Sequence, residues 1–178
     1  FEDAGAFLNP EGTQVFQQYT QRMVSALGDL VDEWITINEP NIYATHAYYF
    51  GEWPPGTKDF GTTIKVFTSM SVAHIEAYQL IHALQPHAKV GVAQHLRVFV
   101  PRVWFHPRHV TAALLMDWLF QGAIGKAMSK GRFHYPLVQP RGVKPGRYYD
   151  FQGINYYSRS TVTDFSDAYA ADVDINDL

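Results

Sequence analysis

Trp34-Ile35-Thr36-Ile37-Asn38-Glu39-Pro40 is the stretch on which the reading of this chain turns. Ile35 and Ile37 suit a short buried strand, and Pro40 has no N–H with which to continue a ladder. Asn38 and Glu39 therefore stand where the backbone leaves a sheet, the position at which α/β enzymes collect their catalytic groups. A carboxylate placed there risks an unpaired buried charge, which argues against a bystander. The plain alternative is a solvated Glu opening a loop, and three residues alone do not decide between the two.

Working outward, the flanking segments read as an alternation of helix and strand. Asn9-Pro10-Glu11 has the form of a helix start, with Asn as N-cap, Pro at the first helical position and an acid in the first turn. Phe16, Tyr19, Met23, Leu27 and Leu30 then recur at three- and four-residue steps and mark one buried face. After the Trp34 strand, a loop rich in Gly, Pro and aromatics is expected to run to Gly61. Thr62 or Thr63 can cap the next helix, whose stripe is Val66, Met70, Ala73, Ala77, Ile81 and Leu84, and Pro86 stops it. Lys89 to Ala93 reads as a second strand, with Gln94, His95, Leu96 and Arg97 at its exit. A helix opens near Pro107 and carries Val110, Ala113, Leu114 and Trp118, and a second helical piece covers Ala123 to Lys130. Phe151 to Ile154 reads as the third strand, and 164–178 as an acidic loop or tail. The order describes an α/β chain with parallel strands and right-handed crossovers. Its strands are nearly sixty residues apart, beyond the roughly thirty of a minimal βαβ unit, and the surplus follows the strands, where barrel active sites are built.

Composition narrows the field. The 178 residues, 47% hydrophobic and 15% aromatic, suit one globular domain. A net charge of −3 gives no reason to expect nucleic acid. Charge is nevertheless uneven: the segment Arg97 to Arg159 holds ten Lys or Arg against only Asp117 and Asp150. Asp164, Asp167, Asp172, Asp174 and Asp177 follow with no basic residue among them, which reads as a basic helical face beside an acidic loop. Cysteine is absent, so no disulfide or thiolate metal site is possible, in keeping with a reducing, cytoplasmic setting. No run approaches the ~18 apolar residues of a membrane span, so no membrane partner is expected. The chain opens on Phe1, and its natural N-terminus is expected to lie upstream.

Five ordered segments extend the first one: Thr36 to Pro40, Ala47 to Gly56, Ala73-His74, Gly131 to Pro136 and Asp150 to Tyr157, with Phe1 to Phe7 opening the chain. Together they resemble glycoside hydrolase family 1, the β-glucosidase and β-galactosidase type of (β/α)8 barrel, over nearly the whole length. The resemblance implies that the three strands match the fourth to sixth of that barrel, with the remaining segments supplied by the same protein or by another chain. It implies retaining hydrolysis of a β-linked glycoside, with no cofactor and no metal. Glu39 matches the general acid/base, Asn38 the amide that binds the sugar 2-hydroxyl, and Tyr157 the tyrosine that hydrogen-bonds the nucleophile, with Asn155 close to it. That chemistry needs a proton for the leaving oxygen and a carboxylate facing the anomeric carbon. The family's nucleophile lies in a Thr-Glu-Asn-Gly type strand end, and Glu2, Glu11, Glu33, Glu39, Glu52 and Glu76 offer no such context. The nucleophile is thus expected outside this chain, and the segment alone is expected to be inactive.

Ala47 departs from the family's usual Gly, and the stretch between Pro136 and Asp150 is short. Tyr48, Tyr49, Phe50 and Trp53 can stack on a sugar or pack against the barrel. His106 with His109, and His82 with His87, lack a third ligand and read as surface or capping residues. His74, on an apolar stripe, reads as a hydrogen-bonded core histidine. No glycine-rich phosphate loop and no serine nucleophile elbow is present. Two alternatives stay open: a non-catalytic sugar-binding or assembly protein derived from the barrel, and another barrel glycosidase that shares Asn-Glu-Pro.

Overall fold

The computed structural model describes residues 5–9 and 11–165, together with the backbone of 172–173. A short 3-10 turn (Ala6–Leu8) precedes α1 (Gly12–Leu27), β1 (Glu33–Asn38) and α2 (Pro40–Ala44), which runs on as a π-helical turn (Thr45–Phe50). Then come α3 (Phe60–Leu84), β2 (Lys89–Pro101) and α4 (Pro107–Asp117). A second π-helical turn (Trp118–Gly122) leads into α5 (Ala123–Lys130), followed by β3 (Phe151–Val162) and β4 (Asp172–Val173). The sheet order is β1-β2-β3-β4, with β1, β2 and β3 parallel and β4 antiparallel to β3. Three parallel strands joined through helices make the α/β fold that the alternation of elements predicts.

The helices cover one side of the sheet, with α3 packed against α1 and α5. The main core joins Val66, Phe67, Met70 and Ala73 of α3 to Ile124, Ala127 and Met128 of α5, Val92 of β2 and Ile37 of β1. Each fully buried Val, Ile or Met side chain contributes roughly 1.5–3 kcal/mol. His74 lies inside this layer, donating from Nε2 to the Tyr148 carbonyl at 2.8 Å and hydrogen-bonded through Nδ1 to the Thr36 hydroxyl at 2.6 Å. It is the core histidine that its stripe predicts.

Several boundaries differ from the sequence reading, each for a local reason. Helix α1 begins at Gly12, two residues late, because the Asn9 side chain accepts the Glu11 N–H at 2.9 Å ahead of the helix; Pro10 is outside the described residues. Its buried face is shifted too: Thr20 and Val24 are buried, whereas Tyr19 (58%) and Leu30 (82%) are exposed. The cap of α3 is Asp59, whose carboxylate accepts the Thr62 N–H at 2.6 Å, rather than Thr62 or Thr63. Pro40 starts a helix instead of a loop, so the segment up to Phe50 is helical, and Gly51, at φ 66°, ends it in the left-handed conformation open to glycine. Leu84 and Leu114, expected on buried stripes, are exposed.

The largest differences concern β2 and β3. Lys89 to Ala93 is only the first part of a strand that runs to Pro101, and β3 reaches Val162 rather than Ile154. Polar Gln94, His95 and Arg97 break the apolar alternation by which the end of a strand is read. Neither Phe1 to Ala4 nor the side chains of 166–178, most of the acidic segment, are among the described residues. Asp164 is, and it accepts from Arg108 of α4 at 2.7 Å.

Candidate active site

Glu39 is the first residue beyond β1, and its backbone is left-handed (φ 48°, ψ 53°). For an L-residue that conformation costs about 1–2 kcal/mol, and such outliers persist where the surroundings over-determine them. Here they do: the Glu39 N–H donates to the Ala93 carbonyl at 2.7 Å, its carbonyl accepts from Tyr43 N–H at 3.1 Å, and Pro40 opens α2 immediately afterwards. The turn aims a carboxyl that is 19% exposed across the end of the sheet.

Three neighbouring strands converge on it. From β3, the Asn155 amide donates to Glu39 Oε1 at 2.9 Å and to Asn38 Oδ1 at 3.1 Å. From the same strand comes Tyr157, whose phenol is held above its ordinary value, first by its hydrogen bond to Glu39, then by desolvation and by the Glu39 charge; Asn155 acts in the opposite sense. From β2, His95 brings Nδ1 to 3.7 Å from Glu39 Oε1. Its imidazole is buried between Tyr157 (ring centroids 4.9 Å apart) and Phe120 of the second π-turn (5.8 Å, edge-on). The four residues expected at the site, Asn38, Glu39, Asn155 and Tyr157, are thus brought together. His95 is the addition, and its place at a strand exit was the only sequence signal for it.

Register shifts explain how neighbours in sequence reach different places. Ile35 pairs with Gly91 and Asn38 with Ala93, so β1 carries one extra residue there. Thr36 can then bond His74 and Ile37 can enter the helix-side core, while Asn38 is left exposed toward Asn155. Leu96 pairs with Tyr156 and Arg97 with Ser158, which leaves Tyr157 as the extra residue on β3. Bulges of this kind re-aim side chains at barrel rims and active sites.

Beyond Ala93, β2 outruns β1, and side-chain amides take over as partners. Asn41 Nδ2 donates to the His95 carbonyl at 2.8 Å. Gln121 accepts the Arg97 N–H at 3.0 Å and donates to the Arg97 carbonyl at 2.9 Å, as a neighbouring strand would. Asn41 lies just before the first π-helical turn and Gln121 within the second, and such turns recur at functional sites.

Other candidates fall elsewhere. Glu33 pairs with Lys89 (3.3 Å), Glu52 with His46 (2.7 Å), and Glu76 is exposed on α3. Among the described residues, Glu39 is the one glutamate hydrogen-bonded into this cluster, and the Tyr157 phenol is hydrogen-bonded to it. Of the loop aromatics, Tyr48 is fully buried, Trp53 stacks on His46 at 4.9 Å, and Tyr49 stays half exposed. His82 bonds Asp150 at 2.8 Å, and His106 stacks on His109 at 4.2 Å. No group of three potential metal ligands occurs among the described residues, and no described helix is long and apolar enough to cross a membrane.

Comparison with known proteins fits this geometry. The family model described as glycosyl hydrolase family 1 matches residues 1–174. The chain is 30% identical over 172 residues to the galactolipid galactosyltransferase SFR2 of Arabidopsis thaliana, covering 90% of this chain and 24% of that protein. It is 30% identical over 100 residues to β-glucosidase A of Acetivibrio thermocellus, covering 56% of this chain and 22% of that one. A solved β-glycosidase from Pyrococcus horikoshii superposes with a TM-score of 0.78 at 28% identity, over 89% of this chain and 36% of its own. The fold is shared as well with a β-glucosidase from Thermotoga maritima in complex with glucoimidazole, at a TM-score of 0.79 and 22% identity, over 92% of this chain and 40% of that one. The chain therefore spans about a quarter of these curated relatives.

Proposed function

The chain belongs to glycosyl hydrolase family 1, and from that premise we propose that it carries the acid/base half of a retaining β-glycosidase, with the nucleophile outside these residues. Glu39 protonates the departing alcohol in the first step and, as a carboxylate, activates water in the second. Asn38 holds the sugar 2-hydroxyl, a contact that strengthens as the oxocarbenium character grows. Asn155 and Tyr157 fix the carboxyl between them. The observation that carries this reading is the single Asn155 amide shared by Asn38 and Glu39, at 3.1 and 2.9 Å, across two strands. It joins the sugar-binding amide and the proton donor into one rigid unit, as a catalytic pair requires.

The test uses the complete gene product. Glu39→Ala should slow hydrolysis of an alkyl β-glucoside by roughly 10²–10⁴-fold, the usual contribution of a general acid. Cleavage of a dinitrophenyl β-glucoside, whose leaving group needs no proton, should suffer much less in its first step. Equal loss on both substrates contradicts the acid role, and no hydrolysis by the unaltered protein favours a sugar-binding or assembly role.

A second reading has one specific support, the likeness to a galactosyltransferase over 90% of this chain. The same two-step chemistry transfers the sugar when an acceptor alcohol replaces water. Product analysis with added galactosides separates transfer from hydrolysis.

A further inference from the structure

We propose that His95 is a positioning residue for Glu39, which holds the carboxyl in place and lends it a counter-charge whenever it ionises. The inference rests on the acid/base reading of Glu39 and adds a partner to it. The contact of 3.7 Å between Nδ1 and Oε1 is too long for a hydrogen bond but close enough for strong charge coupling. Histidine is the side chain whose own titration falls in the range where such a coupling acts at neutral pH.

The imidazole has little freedom to leave. It is 7% exposed, Tyr157 lies against one side and Phe120 meets it edge-on. Its backbone carbonyl is held by Asn41, and the Gln121 amide that follows Phe120 clamps Arg97 two residues further along the strand. The carboxyl opposite is equally fixed, by Asn155 and by its left-handed turn.

The charged groups around the ring can be named. Glu39 faces it from the end of β1 and Tyr157 from β3. On its own strand, the Arg97 guanidinium lies 5.8 Å from the centre of the same Phe120 ring. On the α4 side, Asp117 accepts from Gln121 at 2.6 Å, and α2 contributes the neutral Asn41. Glu39 Oε1 lies 3.7 Å from the ring, so a negative charge at 39 favours a positive one at 95.

Histidine NMR on the protein tests the coupling directly, with the His95 signal assigned from its loss in His95→Gln. In Glu39→Gln the His95 titration midpoint should fall by roughly one pH unit, about tenfold in proton affinity. A midpoint that stays where it was overturns the proposal. Should Glu39→Gln fail to fold, the complete gene product gives a second readout. There His95→Gln should move the alkaline limb of the kcat/KM profile upward by a similar amount with KM unchanged, whereas an equal loss of rate at every pH contradicts the coupling. Absence of hydrolysis sinks the catalytic reading alone, because the NMR coupling is read without turnover; a flat midpoint in an active enzyme sinks only the role of His95.

Discussion

Glu39 combines a strained backbone with a hydrogen-bonded side chain, and the two can be separated by mutation. Glycine adopts φ near 48° without the Cβ penalty, so Glu39→Gly should keep the stability of the parent protein or exceed it by up to about 1 kcal/mol while losing function. Urea unfolding checks this, and a clear loss of stability shows that the side chain was needed for folding. His74 gives the second residue-scale prediction. Burial pushes its imidazole down to about 4 from the usual 6.5, only partly offset by the bond to the Tyr148 carbonyl. Between these values the unfolded chain binds a proton that the folded chain refuses, so stability should fall as the pH falls through that window, by about 3 kcal/mol in full. His74→Gln should flatten that slope in urea melts between pH 7 and 4. At this scale much was legible: Asn38, Glu39, Asn155 and Tyr157 stand at the ends of readable strands. His95 was not, because a single histidine at a strand exit says nothing of the carboxylate it will meet from another strand.

Elements owe their positions to groups that no periodicity displays. The exposed edge of β2 beyond Ala93 is satisfied by Asn41 and Gln121, side chains standing in for a strand that has ended. Removing either amide leaves backbone groups of His95 or Arg97 unpaired, at a cost of about 1–3 kcal/mol each. Asn41→Ala and Gln121→Ala should therefore lower stability by that amount and raise amide exchange selectively at residues 95–99, while exchange in α3 stays slow. Uniform exchange changes contradict this local account. The two bulges have the same character. A sequence read with a period of two puts Ile35 and Ile37 on one face, but the extra residue in β1 leaves Ile35 exposed and Ile37 in the core. The cap of α3 was misplaced because Thr62 and Thr63 are good capping residues, and only geometry shows that Asp59 reaches the Thr62 N–H.

For the molecule as a whole, alternation of helices and strands made the parallel sheet legible, and five ordered motifs made the family legible. Three parallel strands taken from a barrel leave edges and apolar surface uncovered. Among the described residues β1 is an edge strand, and Ile35, Ile154 and Tyr19 are exposed at 52%, 65% and 58%. In a closed barrel such edges are paired. The 178-residue chain expressed by itself should therefore self-associate at micromolar concentration, as exposed apolar edges do. Sedimentation velocity checks this, and a strictly monomeric chain contradicts it. The central claim is the proton-transfer role of Glu39, and chemical rescue measures it most directly. In Glu39→Ala of the complete gene product, supplied with a dinitrophenyl β-glucoside and azide, turnover should recover and the product should be the β-glucosyl azide by NMR. Recovery without that product, or no recovery at all from a folded variant, contradicts the account.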